Sequence, residues 1–173
     1  APLRDRFVVR EHLDYYSVAE LAKIVFRSAG KLEMPMDDET ATEIAGRSRG
    51  TPRLANNRLR WVRDYSTSRA DRVVDLEIAR TALEMQGIDE LGLDGFDRRY
   101  LETLQRVFGG GPAGIEAIAH TMSTAVDTLE DDVEPFLLRY ELIIRTPRGR
   151  RLTERGETHL GAAPRRGPQR KLF

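Results

Sequence analysis

The sequence has no cysteine and only three histidines, and both shortages exclude kinds of chemistry. Without cysteine there can be no disulfide and no thiolate metal site, and three isolated histidines argue against a metal centre. No apolar run approaches the roughly 18 residues of a membrane span. The first residues, Ala1 to Arg6, are polar and lack the apolar core of a secretion signal. We therefore expect a cytoplasmic protein without a membrane segment.

Net charge is absent too, since Lys plus Arg and Asp plus Glu both number 28, and it gives no argument for a nucleic-acid partner. The distribution of charge is more informative. All but three of the basic residues are arginine, and they cluster at residues 47–63 and 145–155. Because a guanidinium group can hold phosphate through two parallel hydrogen bonds, this clustering favours a nucleic-acid partner. With 40% hydrophobic and 32% charged residues, the chain is expected to be globular.

The first half has the apolar spacing of four short helices, which predicts a small helical bundle. The predicted helices run from Ser17 to about Ala29, from Asp37 or Asp38 to Arg47, from Thr51 to about Tyr65 and from Leu76 to Gln86, with a polar loop at 66–74. Ser17 and Glu20 form a capping box. Thr51 is expected to cap the third helix, and Pro52 suits a first turn, where no amide donor is needed.

The pattern changes after the glycine-rich stretch 87–95, which predicts a domain boundary. Three helical segments then precede a short apolar strand at 142–144 and a second strand at 150–153, and Thr146-Pro147-Arg148-Gly149 between the strands has a type I turn signature. Ser123 is expected to cap the third of these helices, and Pro135 to kink or divide it. Three helices followed by a hairpin predict a winged helix, with a last helix from Thr153 to about Leu160.

The hairpin, or wing, is strongly basic, whereas the helix before it is acidic. Arginines stand at 145, 148, 150 and 151 in the wing, and the helix carries acidic residues at 127, 130, 131, 132 and 134 with no basic residue before Arg139. A phosphate backbone would repel that helix. If this domain binds DNA, the wing makes the contact and sequence readout is weak. A solvated basic turn balanced by the acidic helix is the alternative.

Two segments carry a resemblance to a known family. Gly50-Thr51-Pro52-Arg53 resembles the sensor 2 motif of AAA+ ATPases, and with Leu54-Ala55-Asn56 it resembles that motif in the RuvB family. Arg145-Thr146-Pro147-Arg148-Gly149-Arg150 resembles the RuvB wing, and the likeness extends over about residues 1–163. It implies a mainly α fold, in which a small AAA+ lid helical bundle precedes a winged-helix DNA-binding domain with a short β-hairpin wing. The implied divisions are the end of the AAA+ core at 1–16, the lid at 17–88 and the winged helix at 89–163. The Pro-, Gly- and Arg-rich composition of the remaining residues predicts a disordered tail at 164–173.

The resemblance also implies roles for individual residues. Arg53 is expected to sense the nucleotide of its own subunit, and Tyr16 to lie beside that nucleotide. Arg6 matches the arginine finger, which acts in trans on the nucleotide of a neighbouring subunit. From spacing alone, both arginines would be ordinary surface residues and Tyr16 a half-buried aromatic. Arg145, Arg148 and Arg150 are expected to bind DNA.

Taken with those roles, the resemblance predicts the C-terminal part of an ATP-dependent motor that drives Holliday junction branch migration in recombination and repair. The implied cofactor is ATP with Mg²⁺, and the implied partners are duplex DNA or a Holliday junction, RuvA and RuvC, and further copies of the chain in a homo-hexamer. Val8 stands where the family usually has glycine.

Walker A, Walker B and sensor 1 motifs are missing from the sequence. We therefore expect the chain alone neither to hydrolyse ATP nor to bind it tightly. Two other classes of function stay open at this point. The chain could be a stand-alone winged-helix DNA-binding protein, or an interaction module whose wing touches another protein.

Overall fold

The computed structural model describes residue 11 and residues 13–69 and 74–161. Arg6 and the predicted tail at 164–173 lie outside the described residues, as does part of the predicted polar loop at 66–74. The chain divides into two compact units, the first ending at Gly92 and the second beginning at Leu93. Helices and one small antiparallel sheet make up the regular structure of the described part, which confirms the predicted fold class.

The first unit is a bundle of four helices around one apolar core. The helices are α1 (Val18–Lys31), α2 (Asp38–Gly46), α3 (Pro52–Ser68) and α4 (Leu76–Met85). Each turns one stripe of apolar residues inward, and Leu21, Ile44, Leu59 and Leu83 have no exposed surface. Such a stripe every three or four residues is what packs short helices together, since helices of this length are marginal alone. The predicted four-helix bundle is confirmed.

Side-chain caps fix three of the four helix starts in this unit. Ser17 and Glu20 form the predicted capping box at α1, and Asp37 and Asp75 cap α2 and α4. The prediction for Thr51 was wrong, because its side chain makes no capping hydrogen bond to α3. Its hydroxyl instead lies 3.4 Å from the carbonyl of Arg49, on the turn before the helix. Helix α3 also continues to Ser68, three residues beyond the predicted end.

The second unit packs its helices against a two-stranded hairpin. Its elements are α5 (Gly95–Arg106), α6 (Ile115–Met122), a single turn α7 (Val126–Thr128), a π-helical segment (Leu129–Val133), α8 (Glu134–Arg139), β1 (Ile143–Thr146), β2 (Gly149–Leu152) and α9 (Glu154–His159). We call the continuous helical stretch 126–139 the acidic helix and the hairpin 143–152 the wing. The order of three helices, hairpin and last helix confirms the predicted winged helix.

The start of the acidic helix differs from the prediction. Ser123 does not cap it, but ends α6 in a left-handed conformation with φ of 54°, and Ala125 precedes the new helix. The helix type changes near Pro135, where the π-helical segment gives way to α8 one residue before this proline, but the helical stretch is not interrupted. The predicted kink or division is therefore seen only as this change of helix type. Proline lacks an amide donor, so the regular i to i−4 ladder cannot continue through it, and the π-helical segment stands where the ladder changes.

The wing is antiparallel, and its register decides which arginines face the protein. Arg145 pairs with Arg150 and Ile143 with Leu152, so these four residues share one face of the hairpin. Ile144 and Arg151 pair on the opposite face. Beyond β2, Ala113 exchanges two backbone hydrogen bonds with Arg150, which attaches the segment before α6 to the free edge of the hairpin. None of the helices in the described part is long and apolar enough to cross a membrane.

Candidate functional site

The turn before α3 presents the predicted nucleotide-sensing arginine. Arg49 and Gly50 both have left-handed backbones, with φ of 56° and 71°, and they reverse the chain between α2 and α3. Pro52 occupies the start of α3, as predicted, and Arg53 follows it in the first turn with an exposed side chain. The backbone amide of Tyr16 donates to the carbonyl of Gly50 at 3.0 Å. The segment ahead of α1 is therefore fastened to this turn.

An anion at the start of α3 would meet favourable groups. The first amides of a helix lack intrahelical partners and lie at the positive end of its dipole. Thr51 leaves them without a side-chain cap, and the guanidinium of Arg53 has no ion-pair partner within the described residues. Tyr16 keeps 48% of its surface exposed, so about half of its side chain is open to a ligand. The predicted site residues Arg53 and Tyr16 thus belong to neighbouring segments that are joined through Gly50.

The inner face of the wing is held by a buried carboxylate on the acidic helix. Glu134 has no exposed surface and accepts hydrogen bonds from Arg145 Nε at 2.9 Å, Arg150 Nε at 2.8 Å and the hydroxyl of Tyr100 at 2.7 Å. Arg150 also binds Glu130 at 2.6 Å. Two arginines predicted to bind DNA are therefore engaged with the protein itself, and the side chain of Arg150 is only 15% exposed.

These contacts set the ionisation of the cluster. Burial alone would raise the pKa of Glu134, but hydrogen bonds from Arg150, Tyr100 and Arg145 bring the pKa below its ordinary value. Burial and the hydrogen bond to Glu134 raise the pKa of the Tyr100 hydroxyl, which stays protonated and donates. Burial lowers and the hydrogen bond to Glu134 raises the pKa of Arg150, and the net direction is upward. The cluster is a charged, hydrogen-bonded anchor at neutral pH.

The outer face and the tip of the wing carry the basic groups that DNA could reach. Arg148, at the turn, and Arg151, on β2, are both exposed, and within the described part of the chain neither side chain has an ion-pair partner. Arg145 is also exposed, with 49% of its side chain accessible although it pairs with Glu134. The structure thus separates the basic wing into an anchored inner face and an accessible outer face.

Glu134 was expected on a helix face that repels phosphate, and its role as an anchor was not predicted. The residue stands next to Val133 and three positions before Leu137, both buried, and this place on the apolar stripe was the available signal. Asp127, Asp131 and Asp132 remain exposed, so the outer surface of the acidic helix is still unfavourable for a phosphate backbone. No group of acidic or histidine side chains among the described residues could hold a metal ion.

A four-helix bundle followed by a winged helix with a basic wing is the domain order of an AAA+ lid joined to a winged-helix domain. Comparison with family models agrees, since the RuvB AAA lid domain matches residues 16–89 and the RuvB C-terminal winged helix domain matches residues 90–161. The chain belongs to the RuvB family, of which it carries these two domains.

Individual relatives and a solved structure agree with this membership. The chain is 57% identical over 172 residues to the Holliday junction branch migration complex subunit RuvB of Rhodopirellula baltica, covering 99% of this chain and 46% of that protein. The corresponding subunit of a Parafrankia species is 53% identical over 163 residues, which are 94% of this chain and 46% of that one. The structure of the Thermotoga maritima RuvB Holliday junction branch migration motor is 40% identical, with a TM-score of 0.89 over 94% of this chain and 55% of that one. The chain therefore spans about half the length of the relatives it matches.

Proposed function

We propose that the chain is the lid and winged-helix part of an ATP-driven motor that moves Holliday junctions during recombination and repair. The observation that carries the proposal is the joint match of both domains to RuvB, with the lid at residues 16–89 followed directly by the winged helix at residues 90–161. The curated relatives are subunits of a Holliday junction branch migration complex, and they are about twice as long as this chain.

At the nucleotide end, Arg53 would contact the phosphates of ATP and Tyr16 would lie beside the nucleotide. The exposed guanidinium and the uncapped amides at the start of α3 fit a phosphate group, because both favour negative charge. Bound ATP with Mg²⁺ would supply the γ-phosphoryl group, and its transfer to water would drive the motor. The lid would sense that change through Arg53, and Arg6 would act on the nucleotide of a neighbouring subunit.

At the DNA end, the wing would hold the phosphate backbone through its tip and outer face. Arg148 is the best-placed contact because it is exposed at the turn, and Arg151 extends the same accessible surface. Arg145 could add a contact with its exposed half. Binding of DNA by Arg150 stays a prediction, and its ion pairs with Glu130 and Glu134 favour the role of an anchor that sets the position of the wing.

The whole assembly is part of the proposal. Duplex DNA or a four-way junction would be the substrate, RuvA and RuvC the protein partners, and six copies of the complete subunit would form the ring, in the cytoplasm where the DNA lies. Support comes from the family membership and, for the relatives, from their description as subunits of a complex.

The test is a chimaera of Rhodopirellula baltica RuvB in which this chain replaces the matched part, at 57% identity. We expect the chimaera to move a synthetic four-way junction when ATP is supplied and to leave it in place with ADP. Unmodified Rhodopirellula baltica RuvB is the control for the assay. A chimaera that hydrolyses ATP and binds the junction without moving it would contradict the proposed function.

A further inference from the structure

Three arginines, at the end of α2, in the turn before α3 and within α3, converge on residues 88–92, by which the chain leaves the first unit. We call residues 88–92 the exit segment. Arg47 Nη1 donates to the carbonyl of Ile88 at 3.1 Å. Arg49 Nε and Arg58 Nη2 donate to the carbonyl of Gly92 at 2.9 and 3.2 Å. These residues belong to the arginine-rich stretch 47–63, but the nucleotide and DNA contacts proposed above use only Arg53 from it. We call Arg47, Arg49 and Arg58 the exit clamp.

The exit clamp is largely buried and is itself held in place. Arg47 and Arg58 are only 4% and 5% exposed, and Arg49 is half-buried. Glu43, one turn earlier in α2, binds Arg47 through Nε at 2.9 Å and Nη2 at 2.7 Å. Hydrogen bonds from charged donors are among the stronger ones in proteins, and burial makes them costly to leave unmade. The exit segment is therefore attached at two carbonyls four residues apart.

Gly92 is fitted to this attachment in a way that no other residue would be. Its φ is 86°, which a side chain disfavours, and an added Cβ would lie 2.5 Å from the backbone carbonyl oxygen of Arg47. The close approach brings the exit segment directly against the end of α2, where the turn to α3 begins. Gly95 offers a comparison, since a Cβ there would meet no atom within 4 Å.

We propose that the exit clamp is a set of positioning residues that make the end of the first unit move with the turn that presents Arg53. The inference rests on the proposed function. Arg49 lies four residues before Arg53 and next to Gly50, so a shift of that turn on nucleotide exchange pulls on the carbonyl of Gly92. The chain that continues into the winged helix then starts from a fixed point on the lid, and lid movement reaches the DNA-binding domain through it.

The first arm of the test measures the clamp in this chain by hydrogen exchange. The amides of Ile88 and Gly92 are bonded to the carbonyls of Leu83 and Asp89, so their exchange reports opening of the exit segment. Arg49→Ala should raise exchange at Gly92 about tenfold, the effect of losing one strong hydrogen bond. Arg60→Ala, an exposed arginine of α3, is the matched control and should leave it unchanged. Unchanged exchange in Arg49→Ala would overturn the proposal.

The second arm measures coupling in the chimaera, as base pairs migrated per ATP hydrolysed. Arg49→Ala and Gly92→Ala should keep ATP hydrolysis within about twofold and lower the coupling ratio about fivefold or more, the range typical of lost coupling between sites. Gly95→Ala should change neither quantity. Equal coupling in Gly92→Ala, Arg49→Ala and the control would overturn the exit clamp as a transmission element. If the unsubstituted chimaera does not move junctions, the proposed function itself fails, and that result is visible before any clamp variant is compared.

Discussion

Replacing the buried carboxylate of Glu134 by an amide should destabilise the winged-helix unit more than any change at the wing surface. Glu134→Gln keeps the size of the side chain but removes the charge that faces Arg145 and Arg150. Breaking a buried ion pair by removing one partner costs roughly 3–5 kcal/mol. We expect the low end, about 3 kcal/mol, because Arg150 keeps Glu130 and Arg145 can turn its exposed half to water.

The matched control is Glu130→Gln, which removes one contact with Arg150 from a side chain that is 41% exposed. Partly exposed pairs contribute about 1 kcal/mol or less, so the two variants should differ clearly. For a unit of this size, about 3 kcal/mol lowers the melting temperature by more than roughly 10 °C. The melting temperatures of the two variants can be measured by thermal unfolding, with circular dichroism and calorimetry as the probes. Equal melting temperatures for the two variants would refute the anchor.

The pH dependence has a definite sign. Because the pKa of Glu134 is lowered in the folded state, its contribution to stability is complete above the unfolded pKa, near about 4.3, and is lost as pH falls through the folded pKa. The difference in melting temperature between the wild type and Glu134→Gln should therefore be constant from neutral pH down to about 5 and shrink below about 4. A difference that persists undiminished in acid would mean that the carboxylate charge is not its source.

Three further predictions concern the nucleotide end. Arg53→Ala in the chimaera should reduce coupling between ATP hydrolysis and junction movement without lowering the melting temperature of this chain, since Arg53 is exposed, and a change in melting temperature would show a structural role. The chain alone should release no phosphate from ATP with Mg²⁺, because it has no phosphate-binding loop. Phosphate release that copurifies with the chain and that contaminant controls do not account for would contradict this. Arg6→Ala subunits mixed into rings of the chimaera should impair the site of the neighbouring subunit. Loss at the subunit's own site would contradict the finger assignment.

Features that depend on neighbouring residues could be predicted from the sequence. The capping box of Ser17 and Glu20 lies within one helical turn, and the signal for the wing turn comes from the four adjacent residues 146–149. Such signals need no knowledge of the rest of the fold, because the groups that satisfy each other are close in the chain. The bundle was predicted from the apolar spacing of its helices, and the winged helix from the order of three helices and a hairpin.

Features that depend on distant partners could not be predicted in the same way. Ser123 is a local exception, because its residue type suits a cap but its backbone is left-handed and it ends α6 instead. Glu134 is one of five acidic residues in the acidic helix, and only its pairing with Arg145 and Arg150, 11 and 16 residues later, makes it an anchor. The three arginines of the exit clamp bind carbonyls 34 to 43 residues away, and nothing in the spacing of the stretch 47–63 indicates those contacts.

The most direct measurement of the central claim is the salt dependence of duplex DNA binding by the wing variants. Titration of unrelated duplexes at several salt concentrations gives the negative slope of log affinity against log salt, whose magnitude falls by about 0.9 for each lost phosphate contact. Arg148→Ala should lower the magnitude of the slope by about that amount on every duplex, whereas Arg139→Ala should leave it unchanged because that guanidinium lies over the rings of Phe136 and Tyr140. Arg150→Ala should weaken binding with little change in slope. A loss confined to one sequence in Arg148→Ala, or an unchanged slope, would contradict a wing that grips the DNA backbone.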